Sequence, residues 1–315
     1  MPTTPQHLAG IEDRFPELAA YRRTATRLHP RRGNPRVDDS SVGSPLLWPA
    51  EEPWPVCEGP HEPFGDVRNR ADVATQRRLR ELADRRPLTP AELDDQAKAW
   101  APADAEFGND TPLPLLPVAQ LRRSNVFDFI GPDDADLAQV LWCPMDHPSD
   151  DYCPTVTVRW RRAAEVGERL PASEQGPDLV SEPYVPAPCV VLPEQVTEYE
   201  YGHLLPGDLR RRIQAWEAGT VQYGWGRSIT KGWKVGGFAS WTLSDPMDMI
   251  CECGSDLRLF LKVEGGEWDG DRLWVPDDSD TFDGDPTGIT IGRGYALWIW
   301  VCPADYSHPV RTSMQ

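Results

Sequence analysis

The chain holds 7 cysteines and 6 histidines among 315 residues, and the spacing of several of them suits a metal ion. Cys251-x-Cys253 lies between two strand-like runs, Cys302 ends a later run, and His308 follows it by six residues. Thiolates and imidazoles are the donors zinc prefers, in tetrahedral geometry. Cys251, Cys253, Cys302 and His308 are therefore expected to form one site, with Asp305 as an alternative fourth ligand. Cys57-x-x-x-His61 and Cys143-x-x-x-His147 occupy corresponding places earlier in the chain and are expected to form a second quartet. The competing reading of both sets is reduced, packed thiols beside exposed histidines. Cys153 and Cys189 have no partner by spacing and read as core.

Other chemistries leave less trace. The chain has no G-x-S-x-G, no H-E-x-x-H and no G-x-x-x-x-G-K-[ST], so the common hydrolase and phosphate-binding motifs are missing. Gly292-Arg293-Gly294 is too short for a dinucleotide fingerprint and sits between strands. Asp278, Asp280, Asp283 and Asp285 fail the spacing of a helix-flanked calcium loop and read as a solvated acidic loop. Arg22, Arg23, Arg27, Arg31, Arg32 and Arg36 make the start of the chain basic. They read as a solvated face, the alternative being an anion contact.

The elements that must position the two quartets come in related pairs. Val42-Gly43-Ser44 is followed by Trp48 and Cys57, and Val235-Gly236-Gly237 by Trp241 and Cys251, with equal glycine-to-tryptophan spacing. Each copy closes on a strand-like run ending Cys-Pro, Ala138 to Pro144 and Leu297 to Pro303. Repetition in order predicts an internal duplication. Many short apolar runs with Pro- and Gly-rich connections predict an α+β fold of mostly antiparallel β-sheets, in two related halves with a few helices. The expected divisions are an N-terminal arm at 1–41, a first half at 42–160 with a helical insertion at about 62–110, a linker with a short strand and a helix at 161–219, and a second half with a tail at 220–315. Thr89-Pro90-Ala91-Glu92 predicts a helix start. Pro206 to Ala218 reads as an amphipathic helix that Gly219 ends. The 13 tryptophans read mainly as core, with a groove for a sugar or peptide as the sharper alternative.

Charge narrows the partners. Lys and Arg total 32 against 50 Asp and Glu, a net of −18. Such a balance argues against nucleic acid, whose binding needs cations to displace counterions, and against an anionic membrane. No run approaches the length of a membrane span, and the first residues lack a basic region followed by an apolar one. A cytoplasmic protein is expected, with its cysteines reduced or bound to metal.

Lys234-Val235-Gly236-Gly237…Trp241, with its echo Val42-Gly43-Ser44-Pro45-Leu46-Leu47-Trp48-Pro49, resembles the YwqG-like family, a bacterial family of unknown function. The Leu141-Trp142-Cys143-Pro144 and Cys251-Glu252-Cys253-Gly254 runs look like those of its longer actinobacterial members. The resemblance covers roughly residues 40 to 312 and implies an α+β fold with antiparallel sheets. It implies no reaction and no catalytic residue. Two positions depart from the family: Leu243 stands where it has Gln, and Gly292-Arg293-Gly294 replaces its Gly-Asp-Ala-Gly-type turn.

The expected function is a non-enzymatic protein- or peptide-binding scaffold with structural zinc, engaging a basic partner through a surface between its halves. The alternative is a metal-assisted hydrolase.

Overall fold

Two apolar runs set the frame. Leu116–Arg122 and Leu137–Trp142 are buried on both faces for nearly their whole length, as central strands covered on each side must be. The computed structural model describes residues 3–103, 107–217, 223–268, 272–276 and 284–315.

In chain order, helix α1 (Ile11–Arg14) precedes β1 (Arg22–Arg27), β2 (Arg31–Arg32) and β3 (Ser41–Val42). Then come β4 (Val56–Cys57), β5 (Val67–Asn69), α2 (Arg70–Ala83) and α3 (Pro90–Ala99). β6 (Leu113–Pro114), β7 (Leu116–Arg122), β8 (Leu137–Trp142) and β9 (Val156–Arg161) follow. The remainder is β10 (Leu179–Ser181), β11 (Cys189–Val190), β12 (Glu194–Tyr199), α4 (Gly207–Glu217), β13 (Lys234–Gly236), β14 (Arg258–Val263), β15 (Leu297–Val301) and β16 (Arg311–Met314). The fold is α+β, and every strand pairing among the described residues is antiparallel.

Two six-stranded sheets dominate, ordered β2-β11-β3-β7-β8-β9 and β12-β1-β13-β14-β15-β16. Their plans match position by position. β3-β7-β8-β9 and β13-β14-β15-β16 are both meanders, and β3 and β13, which carry the Val-Gly elements, both stand third. The registers agree as well: Val42 faces Ala119 as Val235 faces Leu261. Each meander then slips by one residue, at Val118 between β7 and β8 and at Phe260 between β14 and β15. A bulge kept at the same place bends both sheets alike. Val42, Val118 and Val140 of one sheet share a core with Val235, Phe260, Leu261 and Ile299 of the other, and Leu28, just after β1, joins it.

The strands beside β3 and β13 correct the expected divisions. Residues 1–41 are no arm, because β1 sits inside the second sheet, between β12 and β13. Residues 161–219 are no linker, because β11 sits inside the first sheet, between β2 and β3. Each lead strand crosses to the other sheet, which a search for boundaries in composition cannot detect. Nor are residues 304–315 a tail, since β16 pairs with β15 from Leu297↔Met314 to Trp300↔Arg311. Of the strands expected around Gly292-Arg293-Gly294, the first is reduced to an isolated bridge, Ile291↔Tyr295.

The helices follow their local signals. Thr89 and Glu92 form a reciprocal capping box that starts α3. α2 buries Val73, Gln76 and Leu79 on one face. α4 buries Leu209 and Ile213; the expected stop at Gly219 lies outside the described residues, as do Asp278, Asp280 and Asp283 of the acidic loop. Arg27, expected on a solvated face, is fully buried. No helix among the described residues is long and apolar enough to cross a membrane.

Candidate metal centres

Each sheet carries a small apolar cluster built on its motif tryptophan. Trp48 packs with Leu141 and Cys143, and Trp241 with Trp300 and Cys302. Cys143 and Cys302 directly follow β8 and β15, the corresponding strands. The sheets thus present one cysteine each at the same position, a loop from the Val-Gly side delivers two more donors, and the fourth, His147 or His308, follows that cysteine in the chain.

In the first half that loop follows β4. Pairing of β4 with β6 fixes Cys57 opposite Leu113. The His61 amide donates to the Asn109 carbonyl at 2.9 Å, and Glu62 and Asp146 exchange backbone hydrogen bonds of 2.9 and 2.8 Å. These bonds hold the Cys57–His61 segment against the Cys143–His147 segment. The Cys57 sulfur lies 3.6 Å from His61 Nδ1 and 3.7 Å from His147 Nε2. The Cys143 sulfur lies 3.5 Å from His61 Nδ1. All four residues are buried. The His61 ring stacks on Phe107, and its outer nitrogen Nε2 has no protein hydrogen-bond partner.

In the second half a tight turn supplies two sulfurs. The Cys251 amide donates to the Ser255 carbonyl at 2.9 Å, and the Gly254 amide to the Cys251 carbonyl at 2.8 Å. Gly254 takes φ 85°, where a side chain would be strained. The Cys251 sulfur lies 3.4 Å from His308 Nδ1, and the Cys253 sulfur 3.6 Å from that of Cys302. Asp305 stays outside the quartet; its carboxylate is 3.8 Å from His308 Nε2, on the far side of the ring. Cys253 is exposed, while Cys251 and His308 are half-buried and Cys302 buried.

Within each quartet the donor atoms lie within 4.8 Å of one another. A tetrahedral ion with bonds of about 2.0–2.3 Å needs donors roughly 3.3–3.8 Å apart, so each cluster could hold a metal ion. Cys57, Cys253 and Cys302 are held below an ordinary thiol, whereas Cys143 and Cys251 are held above it. A hydrogen bond from Cys143 pulls Cys57 down to about 3, and that same bond, with burial, holds Cys143 above an ordinary thiol. One proton therefore leaves this pair readily and the second with difficulty. The Ser255 hydroxyl holds Cys253 down to about 6. Hydrogen bonding to Cys302 raises His308. Cys153 and Cys189 are buried and belong to neither quartet, and the Cys189 thiol donates to the Pro286 carbonyl at 3.4 Å.

Sequence reasoning missed a buried charge cluster beneath the Lys234-Val235-Gly236-Gly237 element. Lys234 Nζ donates to both Glu198 oxygens, at 2.6 and 2.5 Å, and to the Phe238 carbonyl at 2.9 Å. Glu198 also accepts from the amides of Thr230 and Phe238, at 2.7 and 2.9 Å. A Cβ on Gly237 would stand 2.2 Å from a Glu198 oxygen, which explains the second glycine. Beside it, His29 bridges Glu267 and Glu194 at 3.0 and 3.1 Å. The signal available was the buried lysine of the motif; nothing in local spacing points to Glu198, 36 residues earlier.

The motif tryptophans Trp48, Trp142, Trp241, Trp298 and Trp300 are all buried, and of them Trp241 and Trp300 reach the wall of an open surface pocket beside Phe238 and Met249. No protein-family model matches the chain, and no curated protein matches it.

Proposed function

We propose that the protein is a non-enzymatic scaffold that binds another protein or a peptide, with zinc as the structural ion of both quartets. The observation that carries the zinc reading is the donor set: four protein ligands in each cluster, drawn from cysteine and histidine only. A complete protein shell is the pattern of a structural zinc, whereas catalytic zinc keeps a position open for water. This favours binding over metal-assisted hydrolysis. Cys57, His61, Cys143 and His147 would hold one ion, and Cys251, Cys253, Cys302 and His308 the other. Each ion would fasten a loop to the end of a sheet and contribute directly to folding.

The matched plans of the two sheets support an internal duplication, and the resemblance to the YwqG-like family is part of the same reading. So is a cytoplasmic location, where thiols stay reduced. The net charge of −18 favours a basic protein partner, whose approach it would steer. Elemental analysis of purified protein tests the metal: two zinc equivalents per chain are expected, and one in the Cys251→Ser, Cys253→Ser double variant. A pull-down at low and high salt tests the partner. Recovery that weakens with salt is expected, and recovery of no specific partner at either salt would refute the scaffold.

A further inference from the structure

Among the described residues, both six-stranded sheets end in an edge that carries no further strand, β9 in one and β16 in the other. The two edges border a single open groove of about 1390 Å³, lined by Val158, Trp160, Tyr306, Met314, Leu243 and Met247 among others. The backbone polar groups along it follow from the ladder. Bonds from the Asp136 amide to the Arg161 carbonyl and from Cys143 to Thr155 turn the odd-numbered residues of this edge toward β8. Alternation then turns the amides and carbonyls of Val156, Val158 and Trp160 toward the groove. Across it, the reciprocal bonds between Ala296 and Gln315 place Thr312 and Met314 facing outward in the same way. Such an edge is a template for one more strand.

The side chains say which strand. Leu243 and Met247 are 55% and 46% exposed on the rim, and Trp160 meets Tyr306 edge-on at 5.4 Å between ring centres. These surfaces suit apolar side chains on one face of an incoming strand. Asp150, Asp151 and Asp305 also border the groove, as does His308 of the second quartet. Arg159 there has Glu52 3.7 Å away, which leaves Arg311 as the opposing charge. A second copy of this chain brings a net −18 against −18, so self-association is electrostatically opposed.

We propose that the groove between β9 and β16 receives one extended strand of a partner protein, with alternating apolar and basic side chains, added to the free edge of β9. This rests on the scaffold reading and specifies where and how that scaffold binds.

The test uses the full chain with its metal and a fluorescent octapeptide of alternating valine and lysine, followed by anisotropy. Binding is expected, with loss of tenfold or more in affinity at high salt and none detectable for the valine–glutamate counterpart. Two N-methylated forms of the valine–lysine peptide, blocked on the valine amides or on the lysine amides, remove opposite rows of hydrogen bonds. One should lose at least tenfold and the other stay within a few-fold of the parent; equal effects overturn the proposal. Val158→Pro removes one outward amide without disturbing the bonds to β8, and should cost tenfold while metal content and cooperative unfolding are retained, the lost Val158 core contacts lowering only the midpoint. Failure of the wild type to bind the valine–lysine peptide overturns the proposal, as does a dimer by sedimentation that Val158→Pro dissociates. A pulled-down partner indifferent to Val158→Pro refutes this groove and leaves the scaffold standing. Absence of any partner refutes the scaffold itself.

Discussion

Glu198 and Lys234 show how much one buried pair decides. Neither side chain reaches solvent, and each is saturated by the other and by backbone groups at the start of the Gly-Gly turn. Removing one partner of such a pair leaves an uncompensated charge in the interior, a loss of about 3–5 kcal/mol. Glu198→Ala should lower the unfolding free energy by that amount in urea titrations, whereas Glu17→Ala, at an exposed ion pair, should change it far less. A cost for Glu198→Ala no larger than that of the surface variant would sink this account. The pair also sets a pH dependence. Burial draws Lys234 down to about 8, against the partial compensation of Glu198. Between that value and the ordinary lysine range near 10.5, the unfolded chain holds a proton that the folded chain has released. Stability from this group must therefore rise with pH across that window. The difference in unfolding free energy between wild type and a Glu198→Gln, Lys234→Met variant, followed from pH 7 to 10, should grow in favour of the wild type.

At the scale of elements, the two quartets differ in access although they occupy matching places. The first lies wholly inside, whereas Cys253 of the second is exposed. A chelator reaches the second without opening the fold and the first only through local unfolding. With zinc in both quartets, as proposed, its release to a colorimetric chelator should therefore have two phases of equal size. Cys251→Ser with Cys253→Ser should abolish the fast one, and Cys57→Ser the slow one; a single phase in the wild type, or the reverse assignment, would contradict the difference in burial. Both quartets were legible in sequence because a thiol or imidazole carries its coordination chemistry with it, and because each set follows a Val-Gly element and its tryptophan in the same order. The capping box of α3 was legible for a similar reason, since its hydrogen bonds span only three residues. Cross-sheet partners carry no such local mark. Glu198 looks like any acidic residue in a polar segment, and β11, two residues long between prolines, gives no sign that it fills the gap between β2 and β3.

The molecule as a whole is interlocked by the strands the sequence hid. β1 leaves the second sheet and runs directly into β2 of the first, and β11 leaves the first and runs into β12 of the second. A chain opened between residues 166 and 167 would separate a fragment holding β1 to β9 from one holding β10 to β16. The first would lack β11 between β2 and β3, and the second would lack β1 between β12 and β13. Each sheet would then have a gap beside its Val-Gly strand, with unpaired backbone groups facing a core that both sheets share. Unsatisfied amides of that kind are costly when buried, and half of the shared core would face water. Neither fragment should unfold cooperatively on its own in circular dichroism melts. Co-expressed, the two should purify together with two zinc equivalents and the groove between β9 and β16 restored. A cooperative, zinc-loaded fragment 167–315 in isolation would show that β1 is dispensable, and that the halves are joined rather than interlocked.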